Sequence, residues 1–209
     1  MTTTAPMLTL SHQYGSGGSL IARALGQRLG WSVWDKEIVR AIASQQHVAE
    51  GYVENKDERV GSFIERAVGF FGVGGFETAY NIPPPLRLSD TQLARLTRRL
   101  IEDVATQGNA IIVGRAGNYI LAERPNTLHV FVFAPMEARI KRAMEVEKLT
   151  HPEAERRIAG MDKLRTEYVH SCYQTEWRDP QGYHLQLDSD EWGEDGVTEL
   201  ILWALEHRL

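Results

Sequence analysis

The sequence predicts an α/β protein: a parallel sheet with helices on both faces. Three observations predict it. Strand-like apolar runs alternate with helical patterns along the chain. A glycine-rich turn joins the first strand to the first helix. Ala110–Gly114 and Leu128–Ala134 are continuous apolar runs, as expected of parallel strands buried on both faces.

The chain opens on Leu8-Thr9-Leu10-Ser11-His12, then Gln13-Tyr14-Gly15-Ser16-Gly17-Gly18, then a helix expected over Ser19–Leu29. The order strand, glycine turn, helix puts unpaired main-chain amides and a positive helix end at one point, which attracts phosphate. Two motifs compete for this turn. Aligned with the phosphate loop G-x-x-x-x-G-K-[ST], His12 takes the first glycine, Gly18 the lysine and Ser19 the magnesium-ligand hydroxyl. Aligned with the dinucleotide fingerprint G-x-G-x-x-G, Gly15 and Gly17 fit, Leu20 replaces the third glycine, and Asp35 lies about 20 residues on, where a ribose-binding acid belongs. The loop alone leaves both open.

Gly30 ends the first helix, and Trp31–Trp34 reads as a second strand. Asp35 caps a helix expected over Lys36–Gln46, and an acid at the carboxyl end of a strand also faces the ligand crevice. From His47 to Leu88 the character changes: a polar helical stretch, an apolar one, then Gly72-Val73-Gly74-Gly75-Phe76 and Pro83-Pro84-Pro85. This reads as an insertion between the second and third strands. Phe70, Phe71 and Phe76 suit either a partner or homodimer surface or a folded-back lid.

Ser89-Asp90-Thr91-Gln92 forms a capping box for a long helix to about Gln107. Arg115 follows the Ala110–Gly114 strand directly, and an arginine at that place suits phosphate. Pro135 starts a helix to about Lys148 with Arg139 and Arg142 on one face, and Thr150-His151-Pro152-Glu153 is a second capping box. Basic groups from Arg139 to Arg165 are nearly matched by acids, so most form a solvated face and a few reach the site. His184–Asp188 reads as the last strand and Val197–Leu209 as a closing helix.

The chain has 209 residues, 43% hydrophobic and 24% charged, which suits a globular α/β domain. A net charge of −5 gives no overall field for a nucleic acid polymer or an acidic membrane. The single cysteine, Cys172, fits a packing role in a reducing cytoplasm, and no apolar run reaches the length of a membrane span. Met1–Met7 lacks a signal-peptide pattern.

The chain resembles the cytidylate-kinase-like proteins, a branch of the phosphate-loop nucleoside monophosphate kinases. The matching pieces are Ser11–Gly18, Trp34–Ile38, Val113–Leu121, Asp162–Arg165 and Trp177–Asp188, in the family's order, with only His47–Leu88 uncovered. The resemblance implies a single kinase-like domain over 1–209 with the three-layer phosphate-loop kinase fold. It implies a five-stranded parallel sheet, an acceptor-side helical insertion at 47–88 and a lid region at 139–180. It implies ATP- and Mg2+-dependent phosphorylation of a nucleoside monophosphate, CMP or dCMP first. Gly15, Ser16, Gly17, Gly18 and Ser19 would wrap the ATP phosphates, with Ser19 in the metal position. Arg115, Asp35 and Asp162 would serve the acceptor, and Arg139, Arg142 and Arg165 the transferring phosphoryl group.

Three departures qualify that expectation. Gly18 replaces the loop lysine, Val113 an acid before Gly-Arg, and Ala116 the aspartate after it. Lys36, His12 or a lid arginine would have to supply the lost charge. A nucleotide-binding regulator without turnover and a nicotinamide-dependent oxidoreductase are the competing readings; Leu20 and the arginine-bearing helices count against the latter.

Overall fold

The computed structural model describes residues 4–35 and 90–208. The expected helix Lys36–Gln46, the insertion and its three phenylalanines, and the first residue of the Ser89 capping box lie outside the described residues. The chain divides into two compact units, residues 1–35 with 101–209 and residues 36–100. Of the second unit, the described part is the start of one helix.

The first unit is an open parallel sheet. Its strands are β1 (Met7–His12), β2 (Ser32–Trp34), β3 (Ala110–Val113), β4 (Thr127–Phe133) and β5 (Leu185–Asp188). The helices are α1 (Gly18–Leu29), α2 (Asp90–Gln107, shared by the two units), α3 (Gly117–Ile120), α4 (Met136–Glu147), α5 (His151–Tyr173) and α6 (Gly193–Arg208). Strand order is β2-β3-β1-β4-β5. β1 pairs in parallel with β3, Leu10 opposite Val113, and with β4, His12 opposite Val132.

This order decides between the two loop motifs. In the dinucleotide fold the first strand lies beside the second. Here β3 lies between them, so the loop after β1 does not sit in a dinucleotide-fold sheet. Leu20 does not crowd helix against strand, because it points to solvent.

One face of the sheet is covered by α1 and α6, through Ile21, Ala22, Leu25, Val197, Ile201 and Leu205 against Leu8, Leu10, Ile111 and Val130. On the other, Phe131 and Ala116 meet Val169 of α5, Trp177 and Tyr183. Ile140 and Ala143 of α4 pack with Ala154 and Ile158 of α5, and Tyr14 joins that cluster from the loop. Fully burying a side chain of this size stabilises by about 1.5–3 kcal/mol, so the sheet core rather than helix propensity fixes the elements.

Most element ends match the sequence reading within one or two residues; α5 stops at Tyr173, ahead of the Trp177–Pro180 stretch that reads as its breaker. α6 begins four residues before the expected Val197, because Glu194 and Asp195 occupy its first turn and favour the positive helix end. The short α3 was not legible, since its N-cap is Ala116 in a left-handed conformation that an alanine does not signal. The Thr150–Glu153 capping box is present as expected.

Candidate functional site

The carboxyl ends of β1, β3 and β4 meet the N-terminus of α1, where the glycine turn lies. Gly15 and Gly17 adopt φ of 79° and 78°, which L-residues rarely take. Close approach adds a second reason for glycine. A Cβ on Gly15 would lie 2.9 Å from the Arg139 carbonyl oxygen; one on Gly17 would overlap the Arg142 guanidinium and lie 2.9 Å from Glu194 Oε1. The first main-chain bonds of α1 run from the amides of Leu20 and Ile21 to the Gly17 carbonyl. The amides of Gly18 and Ser19 therefore stand ahead of the first helical bond.

Ser16 holds the turn together. It is fully buried, and its Oγ donates to the carbonyls of Gln13 (2.9 Å) and Val132 (3.3 Å). Ser189, after β5, donates to the Ser16 carbonyl at 2.7 Å. The Ser16 amide donates to the Gln13 carbonyl at 3.2 Å, so both its side chain and its main chain are committed to holding the turn. Ser19 Oγ donates to Asp35 Oδ2 at 3.3 Å, joining the start of α1 to the carboxyl end of β2. A hydroxyl and a carboxylate at the mouth of a phosphate-sized cradle fit Mg2+, which binds one or two protein oxygens together with phosphates and water.

The arginines divide into two kinds. Arg139 is buried, and its Nη1 donates to Asp162 Oδ2 at 2.7 Å and to the Tyr14 carbonyl at 3.3 Å. Asp162 is a hub under the turn: it also accepts from the Tyr14 amide (3.1 Å) and from Arg178 Nη2 (3.0 Å). Arg139 and Asp162 thus stand behind the loop as a buried ion pair.

Arg142 and Arg165 donate to main-chain carbonyls of the turn and of the strand end before it. Arg142 Nη1 donates to the Gly15 carbonyl at 3.4 Å, and its Nη2 pairs with Glu194 at 2.8 Å. Arg165 Nη1 donates to the His12 carbonyl, and its guanidinium lies 5.9 Å from the Tyr14 ring and 5.7 Å from the Trp177 ring. Burial lowers Arg165 to about 10, opposed by Asp162 and Asp35, so it stays a cation at neutral pH. Burial lowers Arg115 to about 9, with Tyr168 and Asp35 pulling the other way. Arg115 follows β3 with φ of 60° and is buried, sharing the field of Asp35 and Arg165. Burial first, and Arg165 second, hold the His12 imidazole down to about 3, so it is neutral at pH 7.

A cleft continues from the turn along α4 to the end of β5, lined by Gly15, Ala134, Ala138, Lys141, Arg142 and Asp190. Tyr14, Arg178 and Glu194 belong to the site but do not stand out in the sequence. Their signals are faint: an aromatic inside a glycine turn, an arginine in a helix-breaking stretch, and an acid opening the last helix. Arg156 and Lys163 face solvent, as the balance of charges on these helices predicts.

Fold and site together define an α/β protein of the phosphate-loop kinase type. The chain belongs to the cytidylate kinase-like family, whose model matches residues 7–191. It is 23% identical over 201 residues to a cytidylate kinase of Halobacterium salinarum, covering 96% of this chain and 89% of that protein. A cytidylate kinase of Thermococcus kodakarensis is 29% identical over 112 residues, 54% of this chain and 56% of that protein. A Corynebacterium glutamicum protein named uronate isomerase is 26% identical over 149 residues, 71% of this chain, and the chain spans only 29% of its length. Among solved structures, an uncharacterized protein from Eubacterium ventriosum superposes with a TM-score of 0.71 at 23% identity, over 97% of this chain and 99% of that one. A shikimate kinase from Bacteroides thetaiotaomicron gives 0.54 at 13% identity, over 96% and 98%. These structural likenesses speak for the fold.

Proposed function

We propose that this chain transfers the terminal phosphoryl group of ATP to a nucleoside monophosphate, with CMP and dCMP as the first candidates and Mg2+ as the metal. The observation that carries the reading is the cradle of residues 15–19, with Arg142 on the Gly15 carbonyl and Arg165 on the His12 carbonyl just before it. Phosphoryl transfer asks a protein mainly to position two groups and to supply positive charge around the moving one. The amides of Gly15, Gly17, Gly18 and Ser19 hold the donor phosphates around the Ser16 anchor, and the cleft beside α4 takes the donor's base. Ser19 and Asp35 would hold Mg2+, which when bound would supply positive charge against the donor phosphates. Arg115 and Asp35 face the acceptor. Arg142 exchanges Glu194 for phosphate, while Arg139 and Asp162 keep the α4–α5 pair seated on the turn. In this reading residues 139–180 act as the lid and 47–88 as the acceptor-side insertion of one kinase domain.

A coupled assay of ADP release with ATP, Mg2+ and a panel of monophosphates tests this. Release that depends on CMP or dCMP is the expected result; no release with any monophosphate overturns the substrate assignment. Gly18 and Ala116 favour a second reading, a nucleotide-binding regulator, which predicts ATP binding by calorimetry without acceptor-dependent turnover.

A further inference from the structure

The position of the phosphate-loop lysine is closed in this protein by one of its own side chains. Gly18 is buried, and a Cβ there would overlap Cβ and Cγ of His12. His12 itself stands where the motif has its first glycine. The two departures from the motif are therefore one packing event: the imidazole fills the space from which a lysine stem would start. His12 Nδ1 lies 3.0 Å from the Gln13 carbonyl, which fixes the ring against the turn.

The cation at this end of the turn comes instead from α5. Arg165 Nη1 donates to the carbonyl of that same His12. Asp162, one helical turn earlier, is tied to the Tyr14 amide, Arg139 and Arg178, so the segment carrying Arg165 is fixed to the loop. Tyr14 and Trp177 flank the guanidinium at 5.9 and 5.7 Å. Asp35, the carboxylate bonded to Ser19, lies in its field.

We infer that Arg165 replaces the loop lysine as the fixed cation on the terminal donor phosphate, and that His12 and Gly18 are the paired changes that make the replacement necessary. The inference rests on the kinase reading of the loop. Arg165 is then the part of the 139–180 region already docked beside the cradle, on the His12 carbonyl.

Calorimetry with ATP and ADP tests it on wild type, R165Q, R165K and the triple variant H12G/G18K/R165Q, each checked by thermal melt. R165Q keeps a donor for the His12 carbonyl and loses the charge. The expected result is a loss of ATP affinity of about tenfold to a hundredfold in R165Q, as for a charged hydrogen bond. The loss for ADP is smaller, R165K stays near wild type, and the triple variant regains ATP affinity. Equal ATP binding by R165Q and wild type overturns the inference, as does equal loss in R165Q and R165K. A folded triple variant no better than R165Q overturns the exchange of arginine for lysine. Should R165Q not fold, the guanidinium resonance of Arg165 in wild type decides: it shifts with ATP and not with AMP, and no shift with ATP refutes the role. Wild type that binds no ATP defeats the kinase reading itself; wild type that binds ATP while R165Q binds it equally defeats only this inference.

Discussion

The two edges of the sheet handle left-handed backbone differently. At the amino edge, the positive-φ residues before β2, β3 and β4 are Gly30, Gly108, Asn109 and Asn126. Glycine and asparagine take that conformation at little cost. At the carboxyl edge, Gly15, Gly17 and Gly114 are joined by Arg115 and Ala116, with φ of 60° and 55°. Such residues cost about 1–2 kcal/mol each in that region. The amino edge only turns the chain, whereas the carboxyl edge holds side chains and amides where a ligand would meet them. Lys148 and Gln174 share this conformation as helix C-caps; among strand ends the strain falls at the carboxyl edge, which is the candidate site.

The largest effect expected at the carboxyl edge comes from its buried support. Asp162→Ala leaves Arg139 uncompensated and should lower unfolding stability by about 3–5 kcal/mol, read by denaturant titration. An unchanged midpoint would show that Asp162 is not the hub. Next, Gly17→Ala places a methyl against Arg142 and Glu194 and should weaken ATP binding or turnover by about a hundredfold. Gly30→Ala, at the amino edge with nothing within 4 Å, should cost only about 1 kcal/mol of stability and leave ATP binding unchanged. Similar effects of the two alanines on ATP binding would erase the contrast between the edges.

Arg115→Ala should weaken acceptor binding by about tenfold while leaving donor binding in place, measured by separate titrations. Equal losses for both ligands would contradict its placement. The last test is pH dependence, which reports on stability and not on ligand binding. Burial holds His12 at about 3 and His129 at about 4, both below the ordinary 6.5. The unfolded chain therefore binds more protons between 6.5 and those values, so stability is full above 6.5 and falls as pH drops toward 4. His129→Asn should flatten that fall; an unaltered profile would remove His129 as a cause.

Much of the sheet was legible in the sequence. β3 and β4 are continuous apolar runs, and the first strand, turn and helix follow one another without a gap. The glycine turn and the place of Arg115 were legible for the same reason, since each directly follows a strand. Strand order was not, because the two loop motifs predict different neighbours for β1 and only pairing decides. Nor was the split among the arginines. Arg139, Arg142 and Arg165 look alike as residues on helices; their separation into one buried strut and two cations on the turn depends on Asp162, Tyr14 and Glu194, which are brought there by tertiary packing.

The central claim is that the main-chain amides of Gly15, Gly17, Gly18 and Ser19 receive the donor phosphates. Amide chemical-shift mapping with a non-hydrolysable ATP analogue and Mg2+ tests it most directly. The largest shifts are expected at Gly15, Gly17, Gly18 and Ser19, with a second set near Arg115 when CMP is added. Saturable binding that leaves those four amides unmoved would contradict it.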